Sequence, residues 1–236
     1  MKKKIQSVIA FSVLFAFLVF TLGFSSVKLA IPVNNVGVYT PVVIVDAGHG
    51  GVDDGATSRD GTIEKDINLS IALNFRDMLI STGFEVVMIR EGDYSIHDDD
   101  ANTIRKKKMT DLHNRLSIVN STKDAVLISI HQNIFAISKY SGAQVFYSPN
   151  NPLSHIMADT FQSKIIELLQ PSNNRVTKPC TSDIFLLYNA TPPAILVECG
   201  FLSNQSDAAL LRTPEYQQRF AFVLLCALLN YCEQTS

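Results

Sequence analysis

Short apolar runs alternate along this chain with longer stretches in which apolar residues recur every three or four positions. Three of the short runs, 42–45, 125–130 and 194–197, are almost entirely aliphatic. Runs of this kind between helical stretches are typical of strands that are buried on both faces of a sheet. The longer stretches, such as 63–82, have the period of amphipathic helices. The alternation predicts an α/β fold.

The pattern predicts a mixed, mostly parallel sheet of about six strands with helices on both faces. Strands are expected at 42–46, 84–89, 125–131, 142–148, 184–187 and 194–198. Helices are expected at 63–82, 105–120, 152–169 and 214–232, and loops at 48–61 and 173–182. A length of 236 residues suits one domain of ordinary size.

Three residues whose side chains can bind a metal or transfer a proton come just after the three aliphatic runs. They are His49, His131 and Glu198. Ligands of open α/β sheets bind outside the carboxyl ends of the strands. If the three strands are neighbours, two imidazoles and a carboxylate converge on one edge, which is how a metal site or an acid/base site is built.

Glu64 lies near the start of the helix 63–82, in register with the apolar stripe that should face the sheet. A carboxylate at a buried position is costly unless it is paired or coordinated. A carboxylate in a first helical turn is also favoured by the helix dipole while remaining solvated. Both interpretations are open from this residue alone.

Together, His49, Glu64 and His131 offer the two nitrogens and one carboxylate of a catalytic zinc site, which keeps a fourth position for water. Glu198 is then a second carboxylate close to the metal. This pattern serves a zinc hydrolase, in which the metal polarises a carbonyl and the carboxylate transfers protons. Ser129 and Asn133, which flank His131, are expected to orient the ring from outside the ligand set.

The formal charge of −2 gives no basic excess that would indicate nucleic-acid binding. Four cysteines occur without the spacing of a zinc knuckle: Cys180, Cys199, Cys226 and Cys232. We expect mostly free, buried thiols. Export would also permit one disulfide, whose pairing the sequence does not indicate.

The first residues have the pattern of an export signal, because three lysines at 2–4 precede an apolar stretch from 5 to 24. A cleaved signal peptide and an uncleaved membrane anchor are equally compatible with it, and a buried core helix is disfavoured. The chain is therefore divided into a signal or anchor at 1–24, a linker at 25–40 and a catalytic domain at 41–236. Either export interpretation places the domain outside the cytoplasm.

Four segments carry a resemblance to a known family. They are Asp46-Ala47-Gly48-His49-Gly50-Gly51-Val52-Asp53-Asp54-Gly55-Ala56, Glu64-Lys65-Asp66, Ser129-Ile130-His131-Gln132-Asn133 and Val197-Glu198-Cys199-Gly200-Phe201-Leu202-Ser203-Asn204. In their order and spacing they resemble the zinc-dependent N-acetylmuramoyl-L-alanine amidases of the amidase 3 family. The resemblance extends over about 42–231.

The resemblance implies hydrolysis of the amide between the lactyl group of N-acetylmuramic acid and L-alanine in peptidoglycan. It also implies zinc on His49, Glu64 and His131, with Glu198 as the catalytic acid/base.

Division-associated relatives carry an inhibitory helix after the second histidine. The short connection between His131 and Gly142 is expected to lack it. An export segment with one domain resembles the spore-cortex amidases, which act before muramic-δ-lactam is made.

Three alternatives stay open. A zinc peptidase acting on another peptidoglycan amide would need the same residues. A membrane-tethered wall-binding module would have the same fold but a catalytically silent site. An enzyme with only three protein ligands could also depend on an accessory protein to retain zinc or to reach its substrate.

Overall fold

The aliphatic runs form strands of one six-stranded sheet in a computed structural model that describes residues 40–236. The strands are β1 (Val42–Ala47), β2 (Val86–Met88), β3 (Ala125–Asn133), β4 (Gln144–Tyr147), β5 (Lys178–Pro179) and β6 (Ala194–Phe201). The helices are α1 (Glu64–Ser81), α2 (Ile104–Ser121), α3 (Pro152–Leu168), α4 (Phe185–Asn189), α5 (Gln205–Leu211) and α6 (Pro214–Thr235). The predicted signal or anchor at 1–24 and the linker at 25–40, apart from Thr40, lie outside the described residues. None of the helices within 40–236 combines the length and apolarity needed to cross a membrane.

The strand order is β2-β1-β3-β6-β4-β5. Strands β1, β2, β3 and β6 are mutually parallel, whereas β4 is antiparallel to β6 and β5 is parallel to β4. The predicted mixed, mostly parallel sheet of six strands is therefore confirmed. The carboxyl ends of β1, β3 and β6 meet at one edge, and His131 on β3 lies directly opposite Glu198 on β6.

Both faces of the sheet are covered by helices, which explains why the central strands are continuously apolar. Val43 and Val45 of β1 belong to a core cluster with side chains of α1, α3 and α6. Ile44, between them, points to the other face and belongs to a second cluster with side chains of α2 and α4.

The segment around α4 differs from its prediction. The strand predicted at 184–187 is wrong, because Phe185–Asn189 is a short helix whose residues Leu186 and Leu187 cover the second face of the sheet. A strand instead lies at Lys178–Pro179, where a loop was predicted, and α5 was not predicted at all. A short apolar run has no period by which strand and helix can be told apart.

All four cysteines are free, as expected. Cys180, Cys199 and Cys232 are buried and Cys226 is partly buried. The described domain therefore depends on its apolar core and not on a disulfide.

Candidate active site

His49 lies in the loop after β1 with a φ of 62°, a left-handed conformation that is uncommon for residues other than glycine. Two buried arginines hold this loop through its carbonyl oxygens. Arg90 donates to Ala47 (2.8 Å) and Gly48 (3.0 Å), and Arg115 donates to Ala47 (3.1 Å) and His49 (2.8 Å). Four hydrogen bonds from charged donors thus stabilise the backbone that presents the imidazole.

The structure brings His49, Glu64 and His131 together. Glu64 Oε1 lies 3.2 Å from His49 Nε2 and 3.0 Å from His131 Nδ1. Each residue offers one ligand atom, and these atoms all lie within 4.8 Å of one another. The two imidazole rings meet edge to face, with centroids 4.9 Å apart. The three side chains can therefore bind one divalent ion.

Glu64 is buried at the start of α1, with an exposed fraction of only 3%. The interpretation as a solvated first-turn carboxylate is therefore wrong. Its oxygens accept hydrogen bonds from Ala56 N (2.7 Å), Gln132 N (3.0 Å) and Asn68 Nδ2 (3.3 Å). Burial raises the pKa of Glu64, but hydrogen bonds and charge from the two histidines outweigh it and hold the pKa well below its usual range. The carboxylate is kept ionised.

Asp53 orients the other nitrogen of His49. Its Oδ2 lies 2.8 Å from His49 Nδ1, while its Oδ1 pairs with Lys108. Burial alone would lower the pKa of His49, but the hydrogen bonds to Asp53 and Glu64 raise it to about 9. Burial would raise the pKa of Asp53, yet His49 and Lys108 hold it below its usual range. This pairing leaves Nε2 of His49 directed at the ligand cluster.

Ser129 and Asn133, which were predicted to orient His131, make their side-chain and backbone contacts elsewhere. Ser129 Oγ donates to Asp46 (2.6 Å), which is itself paired with Arg115 (2.5 Å), and neither contact reaches His131. Asn133 accepts a hydrogen bond from Leu202 N through its backbone oxygen. An orienting effect of Ser129 or Asn133 on His131 stays a prediction.

Sequence reasoning missed Asp53 and Asn68 as individual site residues. Asp53 follows His49 by four residues in a glycine-rich loop, and Asn68 follows Glu64 by one helical turn on a buried stripe. The spacing of four residues between Glu64 and Asn68 was the available signal for Asn68, since residues one helical turn apart face the same side.

Two glycines of the first motif are required by close approach. A Cβ atom on Gly48 would lie 2.2 Å from His131 Nε2, and one on Gly55 would lie 2.6 Å from Glu64 Oε2. Both distances are far below van der Waals contact. The glycines therefore make room for the ligand side chains.

Glu198 lies opposite His131 in the ladder between β3 and β6. Its Oε2 is buried and has no hydrogen-bond partner among residues 40–236. Burial raises the pKa of Glu198 to about 7, opposed by the charge of His131 and reinforced by that of Glu64. The site thus combines a cluster that can hold a cation with a carboxyl group whose pKa is near neutrality.

A cleft of about 310 Å³ contains His49, His131 and Glu198. Lys108 and Leu112 of α2 line one side, and the segment 183–187 at the start of α4 lines another. This second side could not be foreseen, because the segment was predicted to be a strand of the sheet.

Known proteins share this fold and this site region. A family model described as N-acetylmuramoyl-L-alanine amidase matches residues 43–230. The germination-specific N-acetylmuramoyl-L-alanine amidase of Bacillus subtilis (strain 168) is 34% identical over 190 residues, which cover 80% of this chain and 79% of that protein.

Solved structures agree with this relationship. The CwlD amidase from Clostridioides difficile, in complex with the GerS lipoprotein, is 39% identical with a TM-score of 0.78, covering 81% of this chain and 98% of that one. An N-acetylmuramoyl-L-alanine amidase from Clostridium difficile 630 is 28% identical with a TM-score of 0.73, covering 84% and 100%. The family acts on the cell wall, which implies an extracytoplasmic location. This chain belongs to the N-acetylmuramoyl-L-alanine amidase family and is a hydrolase of peptidoglycan.

Proposed function

We propose that the domain uses a zinc ion, held by His49, Glu64 and His131, to hydrolyse the amide between the muramic lactyl group and L-alanine. The observation that carries this proposal is the convergence of the three ligand atoms beside Glu198, which lies opposite His131. Zinc hydrolases commonly use two nitrogen ligands and one carboxylate in this way.

The residues present fit a zinc ion. Glu64 is held ionised, so that it brings the negative charge a cation requires. Asp53 occupies Nδ1 of His49, which leaves Nε2 as the ligand atom. When bound, zinc would polarise the amide carbonyl and lower the pKa of a water molecule.

Glu198 is proposed as the catalytic acid/base. A carboxyl group whose pKa is about 7 both accepts and donates a proton at neutral pH. Its carboxylate would take a proton from the attacking water and pass it to the nitrogen of the departing L-alanine. The unpartnered Oε2 has no hydrogen bond that must break first.

Digestion of purified peptidoglycan by the zinc-loaded protein tests the proposed bond. Mass spectrometry is expected to show stem peptides with a free L-alanine amine and glycan with a free lactyl carboxyl group. New amine ends elsewhere in the peptide would identify a zinc peptidase. Retention on the wall without products, with and without a chelator, would identify a binding module.

The biological role we propose is maturation of the spore cortex, before muramic-δ-lactam is formed. The supporting observation is similarity to a germination-specific amidase and to CwlD. Cortex from a strain lacking this protein is expected to lack muramic-δ-lactam, and an unchanged cortex would contradict the role.

Export and a partner complete the proposal. Residues 1–24 would act as signal or membrane anchor, 25–40 as linker and 41–236 as catalytic domain in the cortex or wall space. The similar CwlD structure is a complex with a lipoprotein, which supports an accessory protein that aids zinc retention or localisation here. Metal analysis of the protein purified alone is expected to show substoichiometric zinc, and full loading would argue against a role in retention.

A further inference from the structure

The connection between β3 and β4 exposes a concentrated group of large apolar side chains. Its residues 134–140 contain no helix, as expected, and form what we call the platform. Ile134, Phe135, Ile137 and Tyr140 are each between 38% and 50% exposed. Apolar groups clustered at a surface in this way mark binding sites.

The platform is held in place by the segment that follows β6. Ser203 Oγ accepts a hydrogen bond from Phe135 N (3.1 Å), and Asn204 Nδ2 donates to the carbonyl oxygen of Ser138 (2.8 Å). A surface that is already ordered loses less entropy when it binds a ligand.

A row of rings leads from the platform toward the catalytic residues. The ring centroids of Phe135 and Tyr140 are 5.3 Å apart, and those of Tyr140 and Phe201 are 6.5 Å apart. Arg175 lies over Phe201 at 4.8 Å, and its charge acts on Glu198. Because Phe201 is buried, this row of contacts connects the platform to the surroundings of Glu198 through the protein interior.

A cleft of about 310 Å³ lies between the platform and residues 57–59. Ser138 and Ser203 line it together with apolar residues. The residue preceding this segment, Ala56, donates its backbone N–H to Glu64. The cleft thus begins next to the ligand cluster on the side of α1.

We propose that the platform is a subsite for the glycan strand, an inference that rests on the proposed function. Sugar rings combine an apolar face, which stacks on aromatic rings, with hydroxyl groups that bond to serine and asparagine side chains. The stem peptide carries carboxylates and an amine. It suits the cleft that contains His49, His131 and Glu198, where Lys108 and Asp183 provide charge. Binding energy from the strand would position the scissile amide.

Binding of peptide-free glycan strands to the zinc-loaded full chain tests this subsite, because such strands contain no amide to be cleaved. A double variant, Phe135→Ser with Tyr140→Ser, is expected to bind them about tenfold more weakly. The matched control is Phe222→Ser, which removes a ring that is 54% exposed on α6. The control should bind like the wild type, and melting temperature and zinc content should show that both variants fold.

A second measurement compares long-glycan sacculi with a muropeptide of one disaccharide. The ratio of kcat/KM for the two substrates should fall about tenfold in the double variant. If the double variant binds glycan strands as the wild type does, the inference is overturned and a protein becomes the better candidate to bind the platform. If the variant instead binds free stem peptide more weakly, the inference is also overturned and the platform is a site for the peptide. If the wild type cleaves another amide, the proposed function fails while the binding assay still reports on the platform.

Discussion

Glu64, at the start of α1, and Glu198, on β6, have opposite environments. Three donors bind the oxygens of Glu64, whereas Oε2 of Glu198 is buried without a partner. Hydrogen bonds and charge from His131 and His49 also hold the pKa of Glu64 low, whereas burial raises the pKa of Glu198 to about 7. Pairs of titratable groups with divergent pKa values identify the division of roles in a site. Here a carboxylate that is held ionised lies near a carboxyl group whose pKa is close to neutrality.

The strongest test of this comparison is Glu64→Gln. The amide removes the negative charge and places an NH₂ group among donors that need an acceptor. We expect loss of bound zinc and, with it, of turnover, measured by metal analysis and by release of stem peptides. Zinc binding at wild-type affinity would contradict the role of Glu64 as a ligand.

Glu198→Gln tests the proton-transferring role of the second carboxyl group. The variant keeps zinc but loses its proton-transferring group, so kcat should fall by about 10²–10⁴-fold. The control Glu215→Gln, at an exposed carboxylate in the first turn of α6, should leave both quantities unchanged. Near wild-type turnover in Glu198→Gln would show that another group moves the proton.

Asp53→Asn addresses the hydrogen bond that orients His49. Loss of such a partner typically weakens metal affinity by about 10–100-fold, which competition with a chelator would measure. Asp54→Asn is the matched control, because this neighbour pairs with Lys65 and not with the imidazole. Equal effects of the two substitutions would show that Asp53 acts only through its charge.

The pH dependence of zinc affinity tests the pairing of His49 with Asp53 without a substitution, and its expected change is at most about tenfold for one pH unit. His49 of the metal-free protein has a pKa of about 9, so zinc must displace a proton below that pH. Apparent affinity should therefore rise by up to about tenfold per pH unit and level off near pH 9. In the metal-free protein, stabilisation by the charged imidazole is complete below pH 6.5 and is lost as pH rises through about 9. A flat affinity profile over this interval would contradict the pairing of His49 with Asp53.

The ends of the strands were predictable because two simple rules locate them. Aliphatic runs identify strands buried on both faces, and parallel strands place their carboxyl ends at one edge. His49, His131 and Glu198 follow from these rules. Glu64 follows from helical periodicity, although its burial could be decided only by the structure.

Contacts between distant segments could not be predicted in the same way. Arg90 holds the loop of His49 across 43 residues of sequence, and no local pattern indicates such a pairing. Arg115 of α2 likewise pairs with Asp46 of β1, across 69 residues of sequence. Helix α4 was missed because five residues are too few to show a period.

The placement of His131 opposite Glu198 has an evolutionary consequence. The separation of these two side chains is determined by backbone pairing between adjacent strands, about 4.8 Å apart, and not by the helices around them. Helices and surface loops can therefore diverge while the reactive geometry is inherited unchanged, and lineages that share a minority of their residues can retain one chemistry.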